Sequence, residues 1–193
     1  HLGSGASLCA LESGVSRDTS MGFSTLDGIP MATRCGALDP GVLLHLMGQK
    51  GLPLGAVEDL LYHRSGLLGV SGISADSRVL LESDDERARE AIELFCFRIA
   101  GEIGRLAVTL GGIDGIVFTA GVGENQPRIR AGVCARLGWL GVALDAQANA
   151  ANAPRISTGD SRVAVLVIPT DEEQVIADET LMVVTGTGGD SPS

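Results

Sequence analysis

Apolar residues recur at helical spacing over one long stretch of the chain. Ala88, Ala91, Ile92, Phe95, Ile99, Ile103, Leu106 and Leu110 fall three or four positions apart, while Arg87, Glu90, Arg98, Glu102 and Arg105 lie mostly off that stripe. The pattern predicts a long amphipathic helix with Cys96 in its core face. Ahead of it, Ser83-Asp84-Asp85-Glu86 reads as a capping box, with Ser as the cap, Glu three positions on, and two further acids suited to the helix dipole. Gly111-Gly112 reads as the stop.

Shorter runs show a different period. Leu8 to Leu11 and Val15 to Thr19 flank a Ser-Gly turn signal and predict a hairpin. Ile116-Val117-Phe118 and Val163 to Ile168 are short apolar runs without alternation, as expected of strands buried on both faces. Asp39 before Pro40 marks a helix start, with Val42, Leu43, Leu46 and Met47 on one face, and a second helix covers Leu54 to Ser65. Gly66 to Ser74 is punctuated by glycine and reads as a loop, Pro127 to Leu137 as a helix, and Ala146 to Gly159, with its Pro154, as a surface connection. A further helix starts near Asp171. Strand, glycine loop, helix, buried strand and helix together make an α/β layer architecture.

Composition narrows the class. The chain has 193 residues, 45% of them hydrophobic and 20% charged, enough for one sizeable core. No apolar run approaches the roughly 20 residues of a membrane helix. A net charge of −10 argues against nucleic acid or anionic lipid as the main partner, since there is no surplus of Lys and Arg to neutralise phosphates. Cys9, Cys35, Cys96 and Cys134 form no Cys-x-x-Cys pair, which argues against structural zinc and for reduced thiols in a cytoplasmic protein. The opening at His1, without Met, signal peptide or basic leader, reads as a piece of a longer protein.

Two glycine turns are the candidate chemistry. Gly121-Val122-Gly123-Glu124-Asn125 follows a strand and precedes a helix, and His1-Leu2-Gly3-Ser4-Gly5 opens the chain. Such turns let backbone N–H groups approach an anion, and two of them could converge on one nucleotide. With 27 glycines in the chain, chance clusters are common, and Glu124 and Asn125 could equally cap the next helix. Asp18 to Phe23 joins a polar trio to a glycine, as needed where metal-linked water or phosphate meets a sheet edge, but on residue chemistry favours an ordinary polar turn. Arg34, in a loop of small residues without an acid at helical spacing, is either a surface charge or a fork of donors for transferring phosphoryl charge. Asp76 and Arg78 form a local pair or flank a nucleotide. Asp171-Glu172-Glu173 serves a helix dipole or, at a strand's carboxyl end, holds magnesium.

Taken as a set, the opening His-Leu-Gly-Ser-Gly-Ala-Ser, Asp18 to Phe23, Thr33-Arg34-Cys35-Gly36, Gly72-Ile73-Ser74, Phe118 to Asn125 and Ile168 to Glu173 resemble the carboxyl-terminal half of the acetokinase family. The likeness runs in order along nearly the whole chain. It implies a ribonuclease-H-like, actin-like ATPase fold, a mixed sheet flanked by helices, with residues 1–185 forming the nucleotide-binding domain, 186–193 a mobile tail, and the amino-terminal domain absent.

The resemblance also implies roles. ATP phosphates would lie against His1, Leu2, Gly3, Ser4 and Gly5, and the nucleoside near Asp76, Ser77 and Arg78, with Gly121, Val122, Gly123, Glu124 and Asn125 closing over it. Glu172, the first of two adjacent acids, would bind Mg²⁺, and Arg34 would stabilise the transition state. The reaction implied is ATP with acetate to ADP and acetyl phosphate by in-line transfer, or the same with propionate or butyrate. A homodimer through this domain is implied too, and a non-catalytic actin-like module is the rival. Ser4 stands where the family commonly has Asn, a shorter reach to a phosphate oxygen. The acyl pocket, a second arginine, a catalytic aspartate and a further histidine would belong to the absent domain, so the chain alone is expected to bind nucleotide weakly and turn over poorly.

Overall fold

The computed structural model describes residues 1–171 together with Ala177, Thr180, Leu181 and Val184. Its spine is the predicted long helix, here α5 (Glu86–Leu110), whose buried face carries Ala88, Ala91, Phe95, Cys96, Ile99, Ala100, Ile103, Leu106 and Ala107. Phe95, Ile99, Ile103 and Leu106 are each almost fully buried, worth about 1.5–3 kcal/mol apiece against exposure. Gly111 ends the helix in the left-handed conformation (φ 71°).

The start of α5 differs from expectation. Asp85, rather than Ser83, is the cap: its carboxylate accepts the Arg87 amide at 2.9 Å and the Arg87 guanidinium at 2.8 Å. An ionised acceptor outcompetes a hydroxyl, and the Arg87 side-chain and backbone hydrogen bonds hold the Asp85 carboxyl down to about 2. Ser83 instead closes the preceding helix, α4 (Ser77–Glu82).

The hairpin forms as read: β1 (Cys9–Glu12) pairs antiparallel with β2 (Val15–Thr19), with a bulge between Ala10 and Leu11. The turn residues Ser13 (φ 52°) and Gly14 (φ 80°) are both left-handed, the geometry that matches strand twist in a two-residue hairpin. α1 (Pro40–Leu44) is capped by Asp39 and continues as a π-turn over His45–Gln49, followed by α2 (Leu54–His63). The apolar face expected on the first of these is not a core face, since none of residues 40–49 is buried.

Two stretches expected to be irregular are helical. Gly66–Ser71 is α3, entered from Gly66 at φ 60°. A Cβ on Gly66 would lie 2.1 Å from the Met31 carbonyl oxygen, so this glycine marks a close backbone approach, not a loop. Likewise Ala146–Ala150 is α8, capped by Asp145, and Asn149, Ile156 and Ser157 of the supposed surface connection are buried.

β3 (Gly115–Phe118) and β4 (Ala164–Val167) pair in parallel, Ile116 beside Val165 and Phe118 beside Val167. β3 is buried on one face only: Ile116 and Phe118 point inward while Val117 is 49% exposed. An apolar residue at the outward position hid the alternation. In β4, Val165 and Val167 are buried and Ala164 and Leu166 half-buried. The crossover between them holds α6 (Ala120–Asn125), α7 (Pro127–Cys134), a 3-10 turn at Gly138–Leu140, and α8. α5 packs against both strands of the hairpin and against α3, α4 and α7, and the layered α/β expectation holds. Among the described residues the antiparallel and parallel pairings sit in two separate ladders. The start of the helix expected near Asp171, and residues 186–193, lie outside the described residues. No described helix is long and apolar enough to cross a membrane.

Candidate functional site

The opening turn is built around Leu2. Its side chain is 2% exposed, its amide donates to the Thr119 carbonyl at 2.9 Å, and its own carbonyl accepts the amides of Val122 (2.8 Å) and Gly123 (3.1 Å). This stitches the turn to the end of β3 and the start of α6. Within the turn, Gly3 N–H donates to Gly5 O and Ser7 N–H to His1 O, both at 3.0 Å. The amides of Ser4 and Gly5 meet no acceptor among the described residues, as in a turn whose donors face a ligand.

Arg34 closes the other side. The Ala32 amide donates to Ser4 O at 3.2 Å, drawing the 29–37 segment against the turn, and the Arg34 guanidinium lies beside Gly5, 3.7 Å from where a Cβ there would be. Arg34 donates to the Thr25 carbonyl at 3.3 Å and approaches Met31 Sδ at 3.6 Å. No carboxylate pairs with it among the described residues. A cleft of about 440 Å³ results, lined by His1, Gly3, Ser4, Gly5, Arg34, Gly121 and Thr170, among others. Residues far apart in sequence thus meet.

Not every candidate joins them. Gly121 to Asn125 is not a loop before a helix but the helix α6 itself, and the left-handed residue at its entry is Ala120 (φ 66°). Two of the amides expected to cradle an anion, those of Val122 and Gly123, are committed to Leu2. Neither Glu124 nor Asn125 caps the following helix: Gln126 stands at that cap, Asn125 Nδ2 donates to Gly121 O at 3.0 Å, and Glu124 Oε1 accepts Thr170 N–H at 2.9 Å and its Oγ1–H at 3.1 Å. Asp76, Ser77 and Arg78 do not line this cleft. Asp76 caps α4 and pairs with Arg78 at 2.6 Å, and the Arg78 hydrogen bond lowers its carboxyl below the usual range. Ser77 is buried. Glu172 lies outside the described residues.

Asp18, Thr19 and Ser20 turn the chain, as read, and also do more. Asp18 binds Arg105 of α5 at 2.7 Å, and the buried Ser20 hydroxyl accepts the Leu8 amide at 2.8 Å. A second hollow, of about 480 Å³, lies between α5 and this segment, lined by Thr19, Ser20 and Met21 with Arg98, Glu102 and Arg105; it holds none of the residues implied to bind nucleotide or metal or to stabilise the transition state.

Sequence reading missed Thr170 and Arg130. Arg130 is fully buried on α7, and its signal was its place on the stripe with Val133, Cys134 and Leu137, where a charge is out of keeping.

The chain matches the acetokinase family over residues 1–178. It is 56% identical over 179 residues to an acetate kinase of Rhodopseudomonas palustris, covering 92% of this chain and 45% of that protein. Its fold is that of the Porphyromonas gingivalis acetate kinase crystal structure, with a TM-score of 0.88 and 39% identity over 95% of this chain and 48% of that one. A propionate kinase from Francisella tularensis is similar to the same degree, TM-score 0.88 and 36% identity, over 93% of this chain and 47% of that one. The ribonuclease-H-like, actin-like ATPase fold is therefore present, and the chain spans about half the length of the relatives it matches.

Proposed function

Since this chain belongs to the acetokinase family, we propose that residues 1–185 are the nucleotide-binding part of a phosphotransferase that moves the γ-phosphoryl group of ATP reversibly onto acetate. The observation that carries this reading is the cleft in which the His1–Gly5 turn, Arg34 and Gly121 meet. The amides of Ser4 and Gly5, without an acceptor among the described residues, suit phosphate oxygens, and the Arg34 fork, with no carboxylate neutralising it among the same residues, suits the charge that develops on a phosphoryl group in flight.

The reaction is a positioning and electrostatic problem. The opening turn would hold the phosphates, Arg34 would bridge toward the equatorial oxygens, and the carboxylate acceptor would attack in line from the part of the longer protein outside this chain. Asp76, Ser77 and Arg78, with Val122 to Asn125, would take the nucleoside. No group of three His, Cys, Asp or Glu suited to a metal occurs among the described residues. Mg²⁺ arriving on the nucleotide needs only one or two protein carboxylates, and Glu172, next in sequence to Asp171 and the cleft residue Thr170, would supply one. When bound, the ion would neutralise phosphate charge. Association of two copies through this half belongs to the same proposal, as does a cytoplasmic setting, which four unpaired cysteines support.

The structural likeness to a propionate kinase as well as to acetate kinases keeps propionate as the second acceptor to test. The test has two parts. Titrating the chain with MgADP should show weak, saturable binding, and a protein extended by the missing half should form acetyl phosphate, read as its hydroxamate, where the chain alone does not. Saturable binding without carboxylate-dependent transfer in the extended protein would favour a nucleotide-binding module; absence of both would overturn the proposal.

A further inference from the structure

Arg130 is fully buried, and among the described residues no carboxylate pairs with it. Its guanidinium is satisfied by neutral acceptors alone. Nη1 donates to Gly123 O and Glu124 O, both at 2.8 Å; Nη2 donates to Asn149 O at 2.7 Å and Asn152 Oδ1 at 2.6 Å; Nε donates to Asn149 Oδ1 at 2.8 Å. Gly123 and Glu124 lie in the last turn of α6, and Asn149 in the last turn of α8. Helix ends of this kind leave carbonyls unpaired and carry partial negative charge, so one planar cation caps two helices at once.

The consequence reaches the cleft. α6 is clamped from one side by the Leu2 carbonyl and from the other by Arg130. Glu124 then holds Thr170 through its amide and hydroxyl, and Gly121 and Thr170 both line the cleft. We propose that Arg130 is a positioning residue for this cleft, setting the place of Gly121 directly through α6 and of Thr170 through Glu124. The inference rests on the nucleotide-binding reading above for its functional consequence. A lysine cannot substitute, because its single ammonium cannot span the two pairs of acceptors that the guanidinium fork separates.

The test uses the 193-residue chain, MgADP titration and amide hydrogen exchange, at a temperature where circular dichroism shows each variant folded. Arg130→Lys should weaken MgADP about tenfold or more, the range seen when a residue orienting a binding group is lost, and should speed exchange at residues 120–126 and at Thr170. Val133→Ala, buried on the same helix, is the control. It should lower Tm comparably and leave MgADP affinity within about twofold, because its loss is packing alone. Should Arg130→Lys not fold, Asn152→Gly removes one acceptor while suiting the left-handed backbone there (φ 51°), and should shift both readouts the same way by a smaller factor. Unchanged affinity in folded Arg130→Lys, or an equal loss in Val133→Ala, would overturn the positioning role. If the wild-type chain does not bind MgADP, the nucleotide reading fails for this chain, and exchange still decides: acceleration confined to 120–126, Thr170 and the end of α8 around Asn149 to Asn152 supports the clamp, and uniform acceleration overturns it.

Discussion

Arg105 on α5 binds Asp18 at the end of β2 across 87 positions of sequence, Nη1 to Oδ2 at 2.7 Å. The same guanidinium donates to the Thr19 carbonyl at 2.9 Å and pairs with Glu102 at 2.8 Å, and Thr109 Oγ1 donates to Asp18 at 2.9 Å. The hairpin is thereby pinned to the spine next to the chain that leads into the cleft.

This pin makes stability depend on pH in a defined direction. The Arg105 hydrogen bond, then that of Thr109, hold the Asp18 carboxyl below the usual carboxylate range. A depressed carboxyl stabilises the fold above its unfolded pKa, near 3.9, and that contribution fades as pH falls through the lower folded value. Asp18→Asn should therefore lower Tm at about pH 7, and the gap from wild type should narrow as the pH is taken below about 4. A gap that stays constant down to about pH 2 would show that Asp18 acts without its charge.

Two left-handed glycines should respond differently to alanine. Gly14 (φ 80°) has open space around its missing Cβ, whereas a Cβ on Gly66 (φ 60°) would meet the Met31 and Arg34 carbonyl oxygens at 2.1 and 2.8 Å. Gly14→Ala should cost about 1–2 kcal/mol, the backbone penalty alone, and Gly66→Ala clearly more, because the backbone approach that seats α3 must open. Urea denaturation of both variants checks the order, and equal losses would contradict it.

Thiol reactivity separates the cysteines by burial. Cys9 is exposed, while burial pushes Cys96 up to about 11 and Cys134 up to about 12. In the native chain a thiol reagent at about pH 8 should modify Cys9 quickly and leave Cys96 and Cys134 until the protein unfolds. Raised thiol values also predict stability that is intact below the unfolded pKa, near 8.5, and lost as pH rises toward about 12. Tm measured from about pH 8 to 11 should fall less steeply in Cys96→Ala, which lacks one of the two groups.

Arg34 should matter for chemistry more than for folding. Its contacts are one carbonyl, one sulfur and the edge of the glycine turn, so Arg34→Ala should shift Tm little. If the extended protein transfers phosphoryl groups as proposed, Arg34→Ala should reduce its kcat by about 10²–10³, the loss typical of a donor aimed at transition-state charge, with a smaller change in nucleotide KM. An equal loss in kcat and Tm would assign it a structural role.

The elements with strong local signals were legible in the sequence. The α5 stripe, the Ser13-Gly14 hairpin, the Asp39-Pro40 helix start and the core place of Cys96 follow from periodicity, left-handed turn chemistry and capping, all of which act between neighbours in the chain. Family membership was legible too, from motifs in order along the chain. What tertiary structure decided were the choices set by partners distant in sequence. Gly66 is glycine because Met31 comes close; Asn149 and Asn152 are buried or tied down because Arg130 needs acceptors; and the amides of Val122 and Gly123 serve Leu2 because the opening turn lies against α6. Glycine and asparagine read locally as loop formers, yet their use here is set by which backbone or cation the fold brings to them, and no local pattern carries that information.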